Sequence, residues 1–88
     1  MLIENITLNN KLGLHTRAAA KLVDLSNRFT SQIELSLDSK KVNAKSILNV
    51  MLLSASSGSQ VTITIAGADE SEAMTALKAL FYSNFGEE

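Results

Sequence analysis

Residues 61–81 read VTITIAGADESEAMTALKALF, and the periodicity of the sequence changes within this stretch. The first five residues alternate β-branched apolar side chains with threonine, which is typical of a strand with one buried face. Beyond Gly67, acidic residues that suit the positive end of a helix dipole precede an apolar stripe at helical spacing, formed by Ala73, Leu77, Leu80 and Phe81. The stretch therefore predicts a strand that leads through a short turn into a long helix.

Two other parts of the chain have the alternation of strands. Residues 32–38 alternate apolar and polar side chains, and a short strand after a turn at 38–40 would complete a hairpin. Near the N-terminus, three apolar residues share one side of an extended segment: Leu2, Ile6 and Leu8. Glu4 lies on the same side as these apolar residues, so the predicted first strand has one charged residue on the face that should meet the core.

A first helix of about three to four turns is expected from Thr16. Its core side would consist of Ala19, Leu22, Val23 and Phe29. With a short helix in mid-chain, the element order becomes β-α-β-β-α-β-α. Strands that are polar on one side are not covered by helices on both faces. We therefore expect an α+β fold, with helices packed on one face of a largely antiparallel sheet, and one domain over residues 1–88.

The composition restricts the classes of function. Eight Lys and Arg against nine Asp and Glu give a net charge of −1. The chain therefore lacks the broad positive field that would attract nucleic acid or an anionic membrane. Without cysteine and with one histidine, we expect no metal and no cofactor. The first ten residues do not resemble a secretory signal, and no segment has the ~18 apolar residues of a membrane span. We expect a cytoplasmic protein without membrane insertion.

The single histidine lies in NKLGLHTRAAAKL, residues 10–22, at the expected start of the first helix. The first amides of a helix lack internal partners, so Thr16 and Ala18 can offer backbone N–H groups to an anion. Arg17 adds a guanidinium that suits phosphate oxygens. A histidine ring has an unprotonated nitrogen near pH 7 and can accept a phosphoryl group covalently. His15 is thus a candidate phosphoryl acceptor.

A simpler interpretation of His15 stays open, because a lone histidine at a loop-helix junction can be a solvated side chain or a weak cap. No second histidine, Ser-His-acid set or glycine-rich phosphate loop accompanies it, so a self-sufficient hydrolase or nucleotide kinase is poorly supported. If His15 does accept phosphate, the chain is a phosphoryl-transfer carrier rather than a stand-alone enzyme.

The stretch KSILNVMLLSAS, residues 45–56, is apolar nearly all round a helix of about two turns. We expect Val50 and Leu53 to face the core. Part of Ile47, Leu48 and Met51 would then stay exposed as a docking surface for a protein partner. A strand, or a fully buried segment, fits the periodicity equally well.

Ser46 precedes this short helix and can act as its N-cap, with the hydroxyl accepting a backbone amide. A second interpretation is regulatory. A phosphate on Ser46 would be favourable at a helix start and would add about −2 charge beside the docking surface, which would repel an acidic partner.

Three stretches, LGLHTRAAAKLV, NAKSILNVMLL and GADESEAMTALKALF, occur in the order and spacing of the HPr family, which the chain resembles over essentially its whole length. Members of this family are the small histidine phosphocarriers of bacterial phosphoenolpyruvate-dependent phosphotransferase systems. The motif Gly-x-His-x-Arg, followed in mid-chain by Lys-Ser-Ile, is quite specific. The resemblance implies an open-faced β-sandwich of four strands and three helices, in agreement with the order above.

The resemblance also implies roles for individual residues. His15 would be phosphorylated on Nδ1 by an Enzyme I-type protein charged from phosphoenolpyruvate, and would pass the group to an Enzyme IIA-type protein. Arg17 and the amides at the helix start would steady the phosphoryl group. Ser46 would be the position that an HPr kinase/phosphorylase modifies in bacteria that have one. The partner-contact surface would comprise Ile47, Leu48 and Met51, and we expect a monomer.

One position departs from the family pattern. Most relatives have proline at the position of Ala18, and many have alanine at that of Thr16. Proline suits the first turn of a helix, so alanine keeps the helix but releases a fixed φ. The ending ALFYSNFGEE resembles the nitrogen-regulatory branch of the family, whereas Lys45-Ser46-Ile47 resembles the sugar-transport carriers. The branch stays open.

Two functions follow from these observations. The first is a phosphoryl carrier between protein partners, in sugar uptake or nitrogen-type regulation. The second is a non-catalytic regulatory module whose choice of partner is set by phosphorylation at His15 or Ser46. An unrelated α+β scaffold is least favoured, since it does not explain the spacing of the motifs.

Overall fold

The computed structural model describes residues 1–87, which form four strands and three helices in the order that the sequence predicts. The strands are β1 (Leu2–Thr7), β2 (Gln32–Leu37), β3 (Lys40–Asn43) and β4 (Gln60–Ala66). The helices are α1 (Thr16–Ser26), α2 (Ile47–Leu53) and α3 (Glu70–Tyr82), and a 3-10 turn spans Asn84–Gly86. No helix within residues 1–87 is both long and apolar enough to cross a membrane.

The sheet has the strand order β1-β4-β2-β3, and every pairing is antiparallel. Val61, Ile63 and Ile65 of the central strand β4 are fully buried beneath the helices, whereas Thr62 and Thr64 lie half-exposed on the other face. Because one face of the sheet packs against the helices and the other does not, the α+β, open-faced arrangement is confirmed.

Glu4, the charged exception in the first strand, is explained by an ion pair. Its Oε1 lies 2.7 Å from the Nζ of Lys78 in α3. The hydrogen bond to Glu4 raises the pKa of Lys78 above its ordinary value. Since β1 is an edge strand, Glu4 pairs with the helix at the margin of the core and leaves the interior to Ile6 and Leu8, which are buried.

The helices differ from their predicted outlines in two respects. α1 ends at Ser26, so Phe29 lies beyond it and is only partly buried. Val23 is also only partly buried, and Ala18 joins Ala19 and Leu22 on the core side of the helix. In α3, Leu80 packs against the core but is only partly buried, and Met74, which was not predicted, is also buried. The buried stripe of α3 is wider than predicted because this helix contacts both α1 and the strands β1 and β4.

The end of the chain folds back across α1. Asn84, Phe85 and Gly86 have φ values of 54°, 58° and 73°, which reverse the chain direction after α3. The Phe85 side chain is fully buried, and its carbonyl oxygen accepts a hydrogen bond of 2.7 Å from the Nζ of Lys21 in α1. The residue that follows is therefore brought beside the start of α1.

Candidate functional site

His15 is the N-cap of α1, as predicted, but its side chain does not cap the helix. Its backbone is extended (φ −78°, ψ 178°), and its carbonyl oxygen accepts the first helical hydrogen bond, from Ala19 at 2.8 Å. The imidazole is thereby left for other contacts, and a quarter of the side chain is exposed.

The loop before His15 is held against the loop that follows α2. Gly13 has φ +66°, and a Cβ at this position would lie 2.7 Å from the carbonyl oxygen of Ala55. The amide of Leu14 donates to that same oxygen at 3.0 Å, and the Leu14 side chain is buried. Glycine is therefore required here by both backbone conformation and space.

The first turn of α1 has the properties of an anion-binding helix start. Within residues 1–87, the amides of Thr16, Arg17 and Ala18 donate to no other protein group. Thr16 and Arg17 are exposed, whereas the Ala18 side chain is fully buried and can contribute only its amide. Uncapped amides and the dipole favour a negatively charged group in front of His15.

Arg17 faces an open cleft beside the start of α1. The cleft is lined by four parts of the chain: the loop at residues 9–12, the α1 residues Arg17 and Lys21, Ser57, and the C-terminal residues Asn84, Gly86 and Glu87. Arg17 forms no salt bridge with any other residue between 1 and 87, so its guanidinium can turn toward a ligand. The cleft adjoins His15 through Glu87, which contributes to both.

The contact between His15 and Glu87 was not anticipated from the sequence. Glu87 Oε2 lies 2.6 Å from Nε2 of His15, and Glu87 Oε1 accepts a hydrogen bond of 3.3 Å from Nδ2 of Asn10. The sequence offered one indication: Phe85, an apolar residue four positions after Phe81, could anchor the end of the chain in the core. A terminal Phe-Gly-Glu sequence by itself does not indicate which residue the carboxylate reaches.

Electrostatics keep the Glu87 carboxylate ionised. Partial burial on its own would raise the pKa of Glu87, but hydrogen bonds donated by Asn10 and His15 outweigh this effect and lower that pKa below its ordinary value. An ionised carboxylate can only accept hydrogen bonds, so Nε2 of His15 is the donor in this pair.

Ser46 is the N-cap of α2, as predicted. Its hydroxyl oxygen accepts hydrogen bonds from the backbone amide of Asn49 at 3.3 Å and from the Asn49 side chain at 3.2 Å. α2 runs antiparallel to α1, since Asn27 after α1 bonds the Lys45 carbonyl and Leu14 before α1 bonds the Ala55 carbonyl. Ser46 and His15 therefore lie at opposite ends of the helix pair, separated by about 16 Å along 11-residue α1.

The short helix α2 carries an exposed apolar surface. Val50 and Leu53 are fully buried, as expected, and the helical interpretation of this segment is confirmed. The outer side consists of four residues, which we call the α2 surface: Ile47 (38% exposed), Leu48 (74%), Met51 (37%) and Leu52 (68%). Leu52 was not predicted to belong to it. The surface runs beside α1, and its Leu52 end lies toward the His15 loop.

Comparisons with known proteins agree over the whole chain. Residues 3–83 match the PTS-HPr family model, described as the PTS HPr component phosphorylation site. Phosphocarrier protein HPr of Cupriavidus necator is 52% identical over 87 residues, covering 99% of this chain and 98% of the relative. HPr of Xylella fastidiosa is 50% identical over 88 residues, covering 100% and 99%. The crystal structure of HPr-C-His from Thermoanaerobacter tengcongensis superposes with a TM-score of 0.96 at 48% identity, covering 100% of this chain and 99% of that one.

Proposed function

The chain belongs to the PTS-HPr family of phosphocarrier proteins, and we propose that His15 is the residue on which it carries the phosphoryl group. Phosphocarrier function in the phosphotransferase system follows from the family. The acceptor residue, the groups that assist it and the partners of this chain are the subject of the proposal.

The state of the imidazole ring supports His15 as acceptor. The ring does not cap α1, and its Nε2 hydrogen is bonded to the Glu87 carboxylate. In the neutral ring the remaining nitrogen, Nδ1, then has a lone pair, which is the form of histidine that attacks phosphorus. This arrangement is the observation that carries the proposal.

The surroundings of the ring suit a transferred phosphoryl group. The amides of Thr16, Arg17 and Ala18 form an anion site directly after His15, and charge-assisted hydrogen bonds from the Arg17 guanidinium would add to it. Because Arg17 is exposed, it can contact the phosphoryl group while the group is still on the partner protein.

The family places such a carrier between protein partners of the phosphotransferase system. We propose that this chain takes the phosphoryl group from an Enzyme I-type donor and passes it to an Enzyme IIA-type acceptor in the cytoplasm, acting as a monomer. The α2 surface is the proposed docking site, since it is apolar, exposed and adjacent to the helix that carries His15.

Ser46 is proposed as a regulatory position through this surface. A phosphate there would bring about −2 charge next to exposed Ile47. The variant Ser46→Asp tests this, because aspartate is also a good N-cap and keeps the helix start while adding charge. A donor that phosphorylates this variant as efficiently as the wild type would contradict the regulatory role. Such control would also give the carrier a signalling function.

The carrier proposal is tested by intact-protein mass spectrometry after incubation with phosphoenolpyruvate, magnesium and an Enzyme I-type protein. The wild type should gain one acid-labile phosphoryl group, and His15→Ala should gain none. Arg17→Ala should accept the group about tenfold or more slowly, because a charge-assisted contact is lost. Arg28→Ala is the matched control, since Arg28 lies exposed after the end of α1 and its one salt bridge within residues 1–87 is with Asp24 in the last turn of that helix. Full phosphorylation of His15→Ala would refute the assignment.

A further inference from the structure

We propose that Glu87 is a positioning residue for phosphoryl transfer: it fixes the tautomer of His15 so that Nδ1 faces the phosphoryl donor with a free lone pair. This inference rests on the proposed function of His15. It gives the C-terminal segment a role in transfer that is separate from that of the anion site at the start of α1.

The first step is that the C-terminal segment is held rigidly at its base. The Phe85 ring is fully buried against Phe81, with ring centroids 5.0 Å apart. The Phe85 carbonyl is bonded to Lys21, and a Cβ at Gly86 would lie only 3.2 Å from the same Nζ. The backbone leading to Glu87 is therefore anchored in the core and fitted closely to α1.

The second step is that the carboxylate is oriented on two sides. One oxygen contacts His15 Nε2 at 2.6 Å, and the other accepts from Asn10 Nδ2 at 3.3 Å. Asn10 is itself buried and fixed, because Nδ2 also donates to the carbonyl oxygen of Gly13 at 2.6 Å. The loop before His15 thus positions the carboxylate that positions the ring.

The third step concerns the ring. A neutral imidazole carries its proton on either nitrogen, and the hydrogen bond made by one nitrogen selects the tautomer. An anionic acceptor at Nε2 favours the Nε2–H form and leaves Nδ1 unprotonated. The Glu87 carboxylate also lies only partly exposed to solvent, as does the ring, so screening of the pair is reduced.

The transfer can then proceed without a proton leaving the acceptor nitrogen. The Nδ1 lone pair forms the new N–P bond, and the bond from phosphorus to the phosphorylated donor protein breaks with its electron pair on the donor. The ring gains positive charge while the Nε2 proton stays between Nε2 and Glu87. The carboxylate stabilises that charge, which is greater after attack than before it.

The test compares Glu87→Gln and Glu87→Ala with Glu34→Gln, a matched loss of negative charge on the exposed side of the sheet. Long-range ¹H–¹⁵N NMR on the unphosphorylated proteins measures the tautomer of His15 without any donor. Rapid-quench phosphorylation by an Enzyme I-type protein measures the maximal transfer rate and the KM for the carrier. Thermal unfolding checks that each variant remains folded.

We expect wild type and Glu34→Gln to hold the neutral ring in the Nε2–H form. Both Glu87 variants should show a mixture of tautomers and a maximal rate about tenfold lower, with little change in KM, because the lost contact strengthens during transfer. An unchanged tautomer in Glu87→Ala, or a changed tautomer with an unchanged rate, would overturn the inference. If the wild type shows the Nε2–H form but accepts no phosphate, the proposed function fails instead, and the positioning role falls with it.

Discussion

Phe85 packs against Phe81 with ring centroids 5.0 Å apart and an interplanar angle of 59°. Both rings are buried, although the residues on either side of Phe85 are not. The contact joins the last turn of the fold to α3 and directs the end of the chain toward α1. A core contact therefore determines where Glu87 lies relative to His15.

Replacing Phe85 with alanine should lower the free energy of unfolding by about 3–5 kcal/mol, because a fully buried ring is removed and a cavity is left. Urea unfolding at 25 °C measures the change. Tyr82→Ala is the control, since the Tyr82 side chain is largely exposed and its removal should cost far less. Equal losses in the two variants would show that Phe85 does not anchor the segment.

Gly13→Ala should destabilise the protein more than Gly58→Ala. Both glycines have positive φ, at +66° and +93°, but only Gly13 has backbone atoms where a Cβ would lie. We expect about 1 kcal/mol for the strained backbone at Gly58, and about 1–3 kcal/mol more at Gly13 for the clash with Ala55. Thermal unfolding of the pair measures the difference. Equal costs would mean that the loop before His15 is not tightly packed.

Asp69→Asn should reduce the loss of stability in acid. Hydrogen bonds from the Ser31 hydroxyl and the Thr30 amide lower the pKa of Asp69 from 3.8 to about 2. Because the folded state has the lower pKa, this contribution is present above about pH 4 and is lost as the pH falls toward 2.

The measurement is the unfolding midpoint from pH 7 to pH 2 for Asp69→Asn and for Asp24→Asn, an exposed carboxylate paired with Arg28. The Asp69→Asn protein should be less stable than the wild type at neutral pH, and its unfolding midpoint should decline less steeply below pH 4. A decline as steep as that of the wild type would contradict the role assigned to these hydrogen bonds.

Leu48→Ala should weaken transfer by impairing docking. Leu48 is 74% exposed, the most exposed residue of the α2 surface, so its loss should leave the fold nearly as stable as before. We expect the KM for an Enzyme I-type donor to rise about tenfold, as for a central interface residue, with the maximal rate unchanged. Ile3→Ala, which removes a 59%-exposed residue from β1, should leave KM unaltered. Matching KM values for the two variants would place docking elsewhere.

The sequence was informative where one physical pattern dominates. Alternation in β4, the change to helical spacing after Gly67 and the cap at Ser46 all predicted elements that the structure contains. Predictions were incomplete where tertiary packing decides. Met74 is buried in addition to the predicted stripe because α3 contacts two layers, and Leu52 joins the α2 surface because the short helix buries only Val50 and Leu53.

The candidate site divides in the same way. The position of His15 at the start of α1 and the open first-turn amides depend on nearby residues, so local sequence predicts them. The Glu87 contact joins residues 72 positions apart and depends on three consecutive positive φ angles and a buried ring. No periodicity encodes such a reversal, which is why the carboxylate partner of His15 could not be predicted.

The role of His15 is tested most directly by locating the phosphoryl group on the phosphorylated protein with ¹H–¹⁵N and ³¹P NMR and ¹⁵N-labelled histidine. Because Nε2 is bonded to Glu87, we expect phosphorus on Nδ1 of His15, with the Nε2 hydrogen retained. Phosphorus on Nε2, or on any residue other than His15, would contradict this expectation.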